Sequence, residues 1–147
     1  LCDLAIAAGE FPSRVDVADD CFLAPKSMTE EVKAFCARTG QRVPATGEEL
    51  MACIYRSLAE GYKKAVEEME RVVGIPVPCI HIVGGGSKDW YLNQLTAEFT
   101  GKTVYTGPSE ATALGNILAQ LLAGGVFPGV DEARKAVAES FNVKEIG

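Results

Sequence analysis

Leu50, Ile54, Leu58, Tyr62, Val66, Met69 and Val73 fall three or four positions apart, the period of one helical face, with Glu, Lys and Arg between them. They predict the longest helix of the chain, opened by the capping box Thr46–Glu49 and ended at Gly74 and Pro76. On its polar face Lys63 with Glu67, Lys64 with Glu68, and Glu67 with Arg71 stand four apart, pairs worth about 0.2–0.5 kcal/mol each. A second capping box, Ser27–Glu30, opens a shorter helix through Thr39 that Gly40 closes. Leu1 to Ala8 has the spacing of a helix tail that stops at Gly9, with Pro12 beyond. Phe11 to Pro25, rich in Pro and Asp, reads as a surface loop with a short extended piece at Arg14 to Val17.

In the second half the period changes. Cys79 to Val83 is a short apolar run bounded by Pro78 and Gly84-Gly85-Gly86, the pattern of a strand buried on both faces. Ser87 is placed to cap a helix running to Thr100, with Leu92, Leu95 and Phe99 on its inner stripe. Thr103 to Thr106 follows as a strand. Ser109 to Leu122 is a helix apolar nearly all round, and Asp131 caps a last one reaching Phe141. Alternation of strand and helix gives an α/β class with a parallel or mixed sheet. Two strands do not make a self-sufficient sheet, and a helix without a polar face must be covered. The uncapped start and missing Met point the same way, to a C-terminal fragment of a larger α/β protein.

Composition narrows the partners. The 147 residues carry 14 Lys+Arg against 20 Asp+Glu, a net charge of −6, with no basic tract to follow a phosphate backbone, so nucleic acid is excluded as a partner. No apolar run reaches the ~18–20 residues that a bilayer span requires, and there is no leader pattern. Five scattered cysteines in a chain able to build its own core suggest a reducing, cytoplasmic compartment. There is no CxxC and no Cys/His cluster, so no metal site is expected.

The candidate chemistry sits at Gly84-Gly85-Gly86-Ser87, between strand and helix. Glycine lets a ligand approach the backbone closely, and a helix N-terminus presents unpaired N–H groups and partial positive charge. That suits a nucleotide, although neither the G-x-G-x-x-G nor the Walker spacing is present; a plain tight turn fits the same residues. Asp89 suits the helix start and is also placed to accept from ribose hydroxyls. Trp90 is an aromatic beside the turn, better explained as an amphipathic surface residue than as a stacking platform. The only histidine, His81, has no catalytic partner in the pattern and reads as a core residue. Gly115 costs about 1 kcal/mol in a helix interior and suggests a close neighbour. Cys36 and Cys53 end one helix and begin the next, so their approach, and a disulfide between them, is a possibility to test.

The stretch IHIVGGGSKDWYLNQLTAEFTGKTVYTGPSEATALGNILAQLLAGG, Ile80 to Gly125, resembles the C-terminal signature of the FGGY carbohydrate kinases, and within them the kinases of L-rhamnulose. FLAPKSM, CARTGQRVPATGEELMACIYRSLAEGYKKAVEEME and LCDLA continue the resemblance over nearly the whole chain. It implies two domains of the actin and hexokinase (ribonuclease H-like) type, each a mixed sheet flanked by helices. Residues 1–147 would be most of the second, nucleotide-binding domain without its first strands. The implied reaction moves the γ-phosphoryl of ATP, with Mg²⁺, to the 1-hydroxyl of L-rhamnulose. Gly84, Gly85, Gly86, Ser87 and Asp89 would form the adenosine side, with Gly85 closest to the nucleotide; Asp89 stands where many members carry Asn. The catalytic Asp and the first phosphate loop of the family match nothing in this chain, so it should be inactive alone and should need the N-terminal domain. Two alternatives remain open: a non-catalytic nucleotide-binding or assembly domain of the actin-like superfamily, or an FGGY kinase for fuculose or xylulose.

Overall fold

A computed structural model describes residues 1–141 and 143–147. The chain divides into two compact units, residues 1–77 with 98–100, and residues 78–97 with 101–147.

The first unit is helical. It holds α1 (Cys2–Ala7), α2 (Met28–Arg38) and α3 (Gly47–Val73). Both predicted N-caps form through their hydroxyls: Ser27 Oγ accepts from the Glu30 N–H at 3.4 Å and Thr46 Oγ1 from the Glu49 N–H at 3.3 Å. Glu49 reaches back one residue further than the motif requires, accepting from the Ala45 N–H at 2.8 Å and pairing with the Arg42 guanidinium. Gly74 ends α3 at φ +76°, a left-handed conformation that glycine adopts without a Cβ clash.

Within α3 the apolar stripe is only half the story. Leu50, Ile54, Leu58 and Val66 are half-buried, whereas Tyr62, Met69 and Val73 are exposed. The fully buried positions are mostly small: Ala52, Cys53, Ser57 and Ala59, with Tyr55. α1 lies against α3, and buried Ala5 on one helix with Ala52 and Ala59 on the other fits a close helix–helix approach. On the polar face Lys63 pairs with Glu67 as expected. Lys64, however, turns back to Glu60 at 3.2 Å, and Arg71 takes Glu68 rather than Glu67 at 3.4 Å.

Phe11 to Val17 is not the surface loop the sequence suggests. Phe11, Ser13 and Val15 are buried in alternation while Pro12 and Asp16 face out. The segment forms no strand because its backbone hydrogen bonds go to side chains. The Gln41 amide accepts from the Arg14 N–H and donates to the Arg14 carbonyl, both at 2.8 Å, and Ser57 Oγ accepts from the Val15 N–H at 2.9 Å. Phe11 and Val15 then join Val32, Phe35, Cys36, Ala52 and Cys53 in one apolar core.

The second unit holds β1 (Cys79–Ile82), α4 (Trp90–Thr100, except its last three residues), β2 (Thr103–Thr106), α5 (Ala111–Ala123), α6 (Val130–Ser140) and β3 (Lys144–Ile146). β2 is central, parallel to β1 and antiparallel to β3. β3 carries no pattern that announces it, and the sequence reading missed it. Among the described residues β1 pairs with β2 alone. It is half-buried with His81 exposed, not buried on both faces, and His81 is no core residue: its ring stacks on Tyr105 with centroids 5.1 Å apart. Ser87 does not cap α4; Asp89 does, accepting from the Leu92 N–H at 3.2 Å. Gly129, not Asp131, occupies the N-cap of α6. α5 has no buried residue, and a Cβ on Gly115 would meet nothing within 4 Å, so the close neighbour expected there is absent among the described residues.

Candidate nucleotide site

Beyond β1 the chain turns through one 3₁₀ helix, Gly84–Lys88, before α4 begins. Gly84 opens it at φ +73°, and its N–H donates to the Pro108 carbonyl at 3.1 Å, while the Gly107 N–H donates to the Ile82 carbonyl at 2.9 Å. These two bonds continue the β1–β2 pairing past the end of β1 and tie the glycine turn to the segment that follows β2. The turn is thus positioned by the sheet.

Its inner side is fully engaged. Ser87 Oγ donates to the Gly84 carbonyl at 2.7 Å, which is why this hydroxyl is not free to cap α4. The Asp89 N–H donates to the Gly86 carbonyl at 3.1 Å. Asn93, 1% exposed, donates through Nδ2 to the Gly86 and Ser87 carbonyls at 3.3 and 3.2 Å. Sequence reasoning passed over Asn93. The available signal was an amide one turn after Asp89 and beside the inner stripe of Leu92 and Leu95, where a polar group must find backbone partners.

The outer side is open. A Cβ on Gly85 would meet nothing within 4 Å, and one on Gly86 only Ile82 Cγ2 at 3.7 Å. Gly84, Gly85, Gly86, Ser87 and Asp89 therefore come together as a single turn, with glycine backbone facing outward and the carbonyls bound inside. Trp90 is half-exposed at its edge, its ring packed edge-on against Tyr91 at 5.7 Å. Beside the turn lies a recess of about 350 Å³ lined by Ser87, Lys88, Trp90, Thr106, Ser109 and Lys144, among others. The two lysines and the hydroxyls of Thr106 and Ser109 suit an anionic ligand. Among the described residues no group of His, Cys, Asp or Glu could hold a metal ion. The arrangement can bind and orient, and it offers no acid–base or nucleophilic pair beside the turn.

In the first unit Cys36 and Cys53 are both free, fully buried thiols of the one apolar core. Burial, and then the neighbouring Cys36, pushes the Cys53 thiol up to about 12; burial also raises Cys36.

Residues 5–124 match the C-terminal domain of the FGGY family of carbohydrate kinases, and the chain belongs to that family. Its α/β fold, with a mixed three-stranded sheet, is part of the ribonuclease H-like fold of that domain. Among curated relatives it is similar to the rhamnulokinase of Oceanobacillus iheyensis, 45% identical over 95% of this chain and 30% of the relative. It is also similar to the rhamnulokinases of Bacillus subtilis, 42% identical over 91% of this chain and 28% of the relative, and of Halalkalibacterium halodurans, 43% identical over 91% and 29%. The chain thus spans under a third of the length of these relatives. Among the described residues no helix is long and apolar enough to cross a membrane.

Proposed function

We propose that this chain is the C-terminal, ATP-side part of a cytoplasmic sugar kinase that transfers the γ-phosphoryl of ATP to the 1-hydroxyl of L-rhamnulose. The similarity over more than nine-tenths of its length to proteins named rhamnulokinase supports the substrate. The observation that carries the nucleotide assignment is the open glycine backbone of Gly84 to Gly86, tied to the sheet by Gly84 and Ser87 and flanked by Asp89. In this reading adenosine lies against Gly85, Mg²⁺ arrives with the phosphates, and the sugar and the base that takes its hydroxyl proton belong to parts of the kinase outside these residues. Residues 1–147 alone do not phosphorylate sugar.

Gly85 provides a clean test, because its φ is not in the left-handed region and nothing in the chain occupies its Cβ direction. Gly85→Val should leave circular dichroism unchanged while projecting into the ligand's space. Calorimetric titration with Mg·ATP should show binding that the valine weakens at least about tenfold, a loss of about 1.4 kcal/mol. Equal affinity in the two proteins would remove adenosine from this turn. Turnover of L-rhamnulose by the purified chain above a protein-free control would overturn the claim that it is inactive alone.

We also propose that Cys36 and Cys53 close to a disulfide under oxidising conditions. Counting thiols in the denatured, unreduced protein should then give three; a count of five after oxidation would exclude the bridge.

A further inference from the structure

Asn93 stands where an aliphatic side chain would pack at lower cost. It lies on α4 between Leu92 and Leu95, is 1% exposed, and its backbone N–H donates to the Asp89 carbonyl at 3.0 Å in the first bond of the helix. Burying an amide costs free energy unless its polar atoms are used. A primary amide carries two donors on one nitrogen, and Asn93 Nδ2 spends them on successive carbonyls, Gly86 at 3.3 Å and Ser87 at 3.2 Å. A hydroxyl has one donor, and a carboxylate or an aliphatic group of that size has none.

Those bonds set direction. The Gly84 carbonyl is taken by Ser87 Oγ at 2.7 Å, and the Gly86 carbonyl also receives the Asp89 N–H at 3.1 Å. With Asn93 added, the carbonyls of Gly84, Gly86 and Ser87 are each bound within the turn, away from the open side where a Cβ on Gly85 would meet nothing. A carbonyl turned instead toward the oxygens of a nucleotide would repel them. Asn93 also belongs to α4, whose cap Asp89 accepts from the Leu92 N–H, so it fastens turn and helix together.

We propose that Asn93 is a positioning residue for nucleotide binding, acting through the Gly86 and Ser87 carbonyls to hold the glycine turn in the backbone arrangement that accepts the ligand. This rests on the nucleotide reading of the turn. The paired donors are the property that matters, so side chains of similar size without them keep the helix and lose the ligand.

Calorimetric titration with Mg·ATP of the wild-type chain, Asn93→Leu and Asn93→Asp, each beside circular dichroism and urea denaturation, tests this. Asn93→Leu continues the apolar stripe of α4 and should stay folded, yet bind at least about tenfold more weakly. In Asn93→Asp, burial, the two carbonyls and nearby Asp89 raise the introduced carboxyl, outweighing Lys88 and Lys144 across the recess. At pH 6 it keeps a proton to donate to one carbonyl, and at pH 8 it has none. Its deficit relative to wild type at the same pH should therefore be several-fold larger at pH 8, a dependence that lost packing alone does not produce. Should a variant unfold, the wild-type amide reports directly: its Nδ2 proton resonances should shift as Mg·ATP saturates the chain. Folded variants that bind as wild type does, a deficit in Asn93→Asp that ignores pH, or amide resonances unmoved at saturation would overturn the role of Asn93. A wild-type chain whose Mg·ATP binding is absent, or untouched by Gly85→Val, overturns the nucleotide reading itself and this proposal with it.

Discussion

The two units bury their residues in opposite ways. In the first, a contiguous core of Phe11, Val15, Val32, Phe35, Cys36, Ala52 and Cys53 is closed around an extended segment. In the second, the buried set is Leu95, Val104 and Ala133 with the polar Asn93, Thr96 and Thr106, and one whole helix, α5, contributes nothing. Apolar burial is what stabilises a fold, at about 25 cal/mol per Å² removed from water. A polar group that is buried instead fixes geometry, and Asn93 does so by holding the carbonyls of the glycine turn. The first unit thus closes a contiguous apolar core, whereas in the second the buried polar groups hold the glycine turn in place.

The sharpest break of that contrast is a matched pair of truncations. Phe35→Ala removes a buried ring that lies 5.5 Å from Phe22 and under the Arg38 guanidinium, and should cost about 3–5 kcal/mol in urea denaturation. Ile117→Ala on α5, already half-exposed, should stay within about 0.5 kcal/mol. Comparable losses would mean that α5 is covered in solution.

What could be read in the sequence was whatever depends on near neighbours. Ser27 and Thr46 cap their helices because a capping box is a four-residue event, and Gly84 to Gly86 turn where the apolar run stops. The misses depend on distant partners. Nothing within Phe11 to Val17 says that Gln41 and Ser57 will supply its hydrogen bonds. Ser87 failed as a cap because the 3₁₀ turn consumed its hydroxyl, leaving Asp89 to cap α4. His81 looked like core because a continuous apolar run does not say which of its side chains the rest of the chain covers. The candidate site was legible as a stretch of residues, but its support by Asn93 and Pro108 was not.

A smaller pair compares one hydroxyl in each unit. Ser57 Oγ accepts from the Val15 N–H and donates to the Cys53 carbonyl at 2.6 Å, all in the core, so Ser57→Ala strands a buried donor and should cost about 1–3 kcal/mol. Ser87→Ala loosens a partly exposed turn whose N–H groups water can reach, and should cost about 0.5–1.5 kcal/mol by the same measurement. If the order reversed, the turn would be the more rigid element.

Alkali probes the first core without a mutation. Cys53 is held neutral to about 12, whereas the unfolded thiol ionises near 9, so the native state binds its proton more tightly. Its contribution is whole below pH 9 and is lost as pH rises toward 12, amounting to roughly 1.4 kcal/mol at pH 10. Reduced protein should therefore unfold at lower urea at pH 10 than at pH 8, and Cys53→Ala should flatten that dependence. Oxidation to the Cys36–Cys53 bridge should flatten it as well, because a disulfide has no proton to lose.

The finest comparison uses one methyl group in each unit. A Cβ on Gly61 of α3 would lie 2.6 Å from Val17 Cγ2, a β-branched side chain with little room to turn, so overpacking of about 1–3 kcal/mol outweighs the gain of about 1 kcal/mol in helix propensity. Gly115 of α5 has nothing within 4 Å, so Gly115→Ala keeps the propensity gain and should stabilise the chain by up to about 1 kcal/mol. Opposite shifts of the two denaturation midpoints would show that the same substitution reads packing in one unit and bare helix in the other. A loss in both would put a neighbour on α5, the one its apolar sequence asks for, and would erase the distinction between the units at that helix.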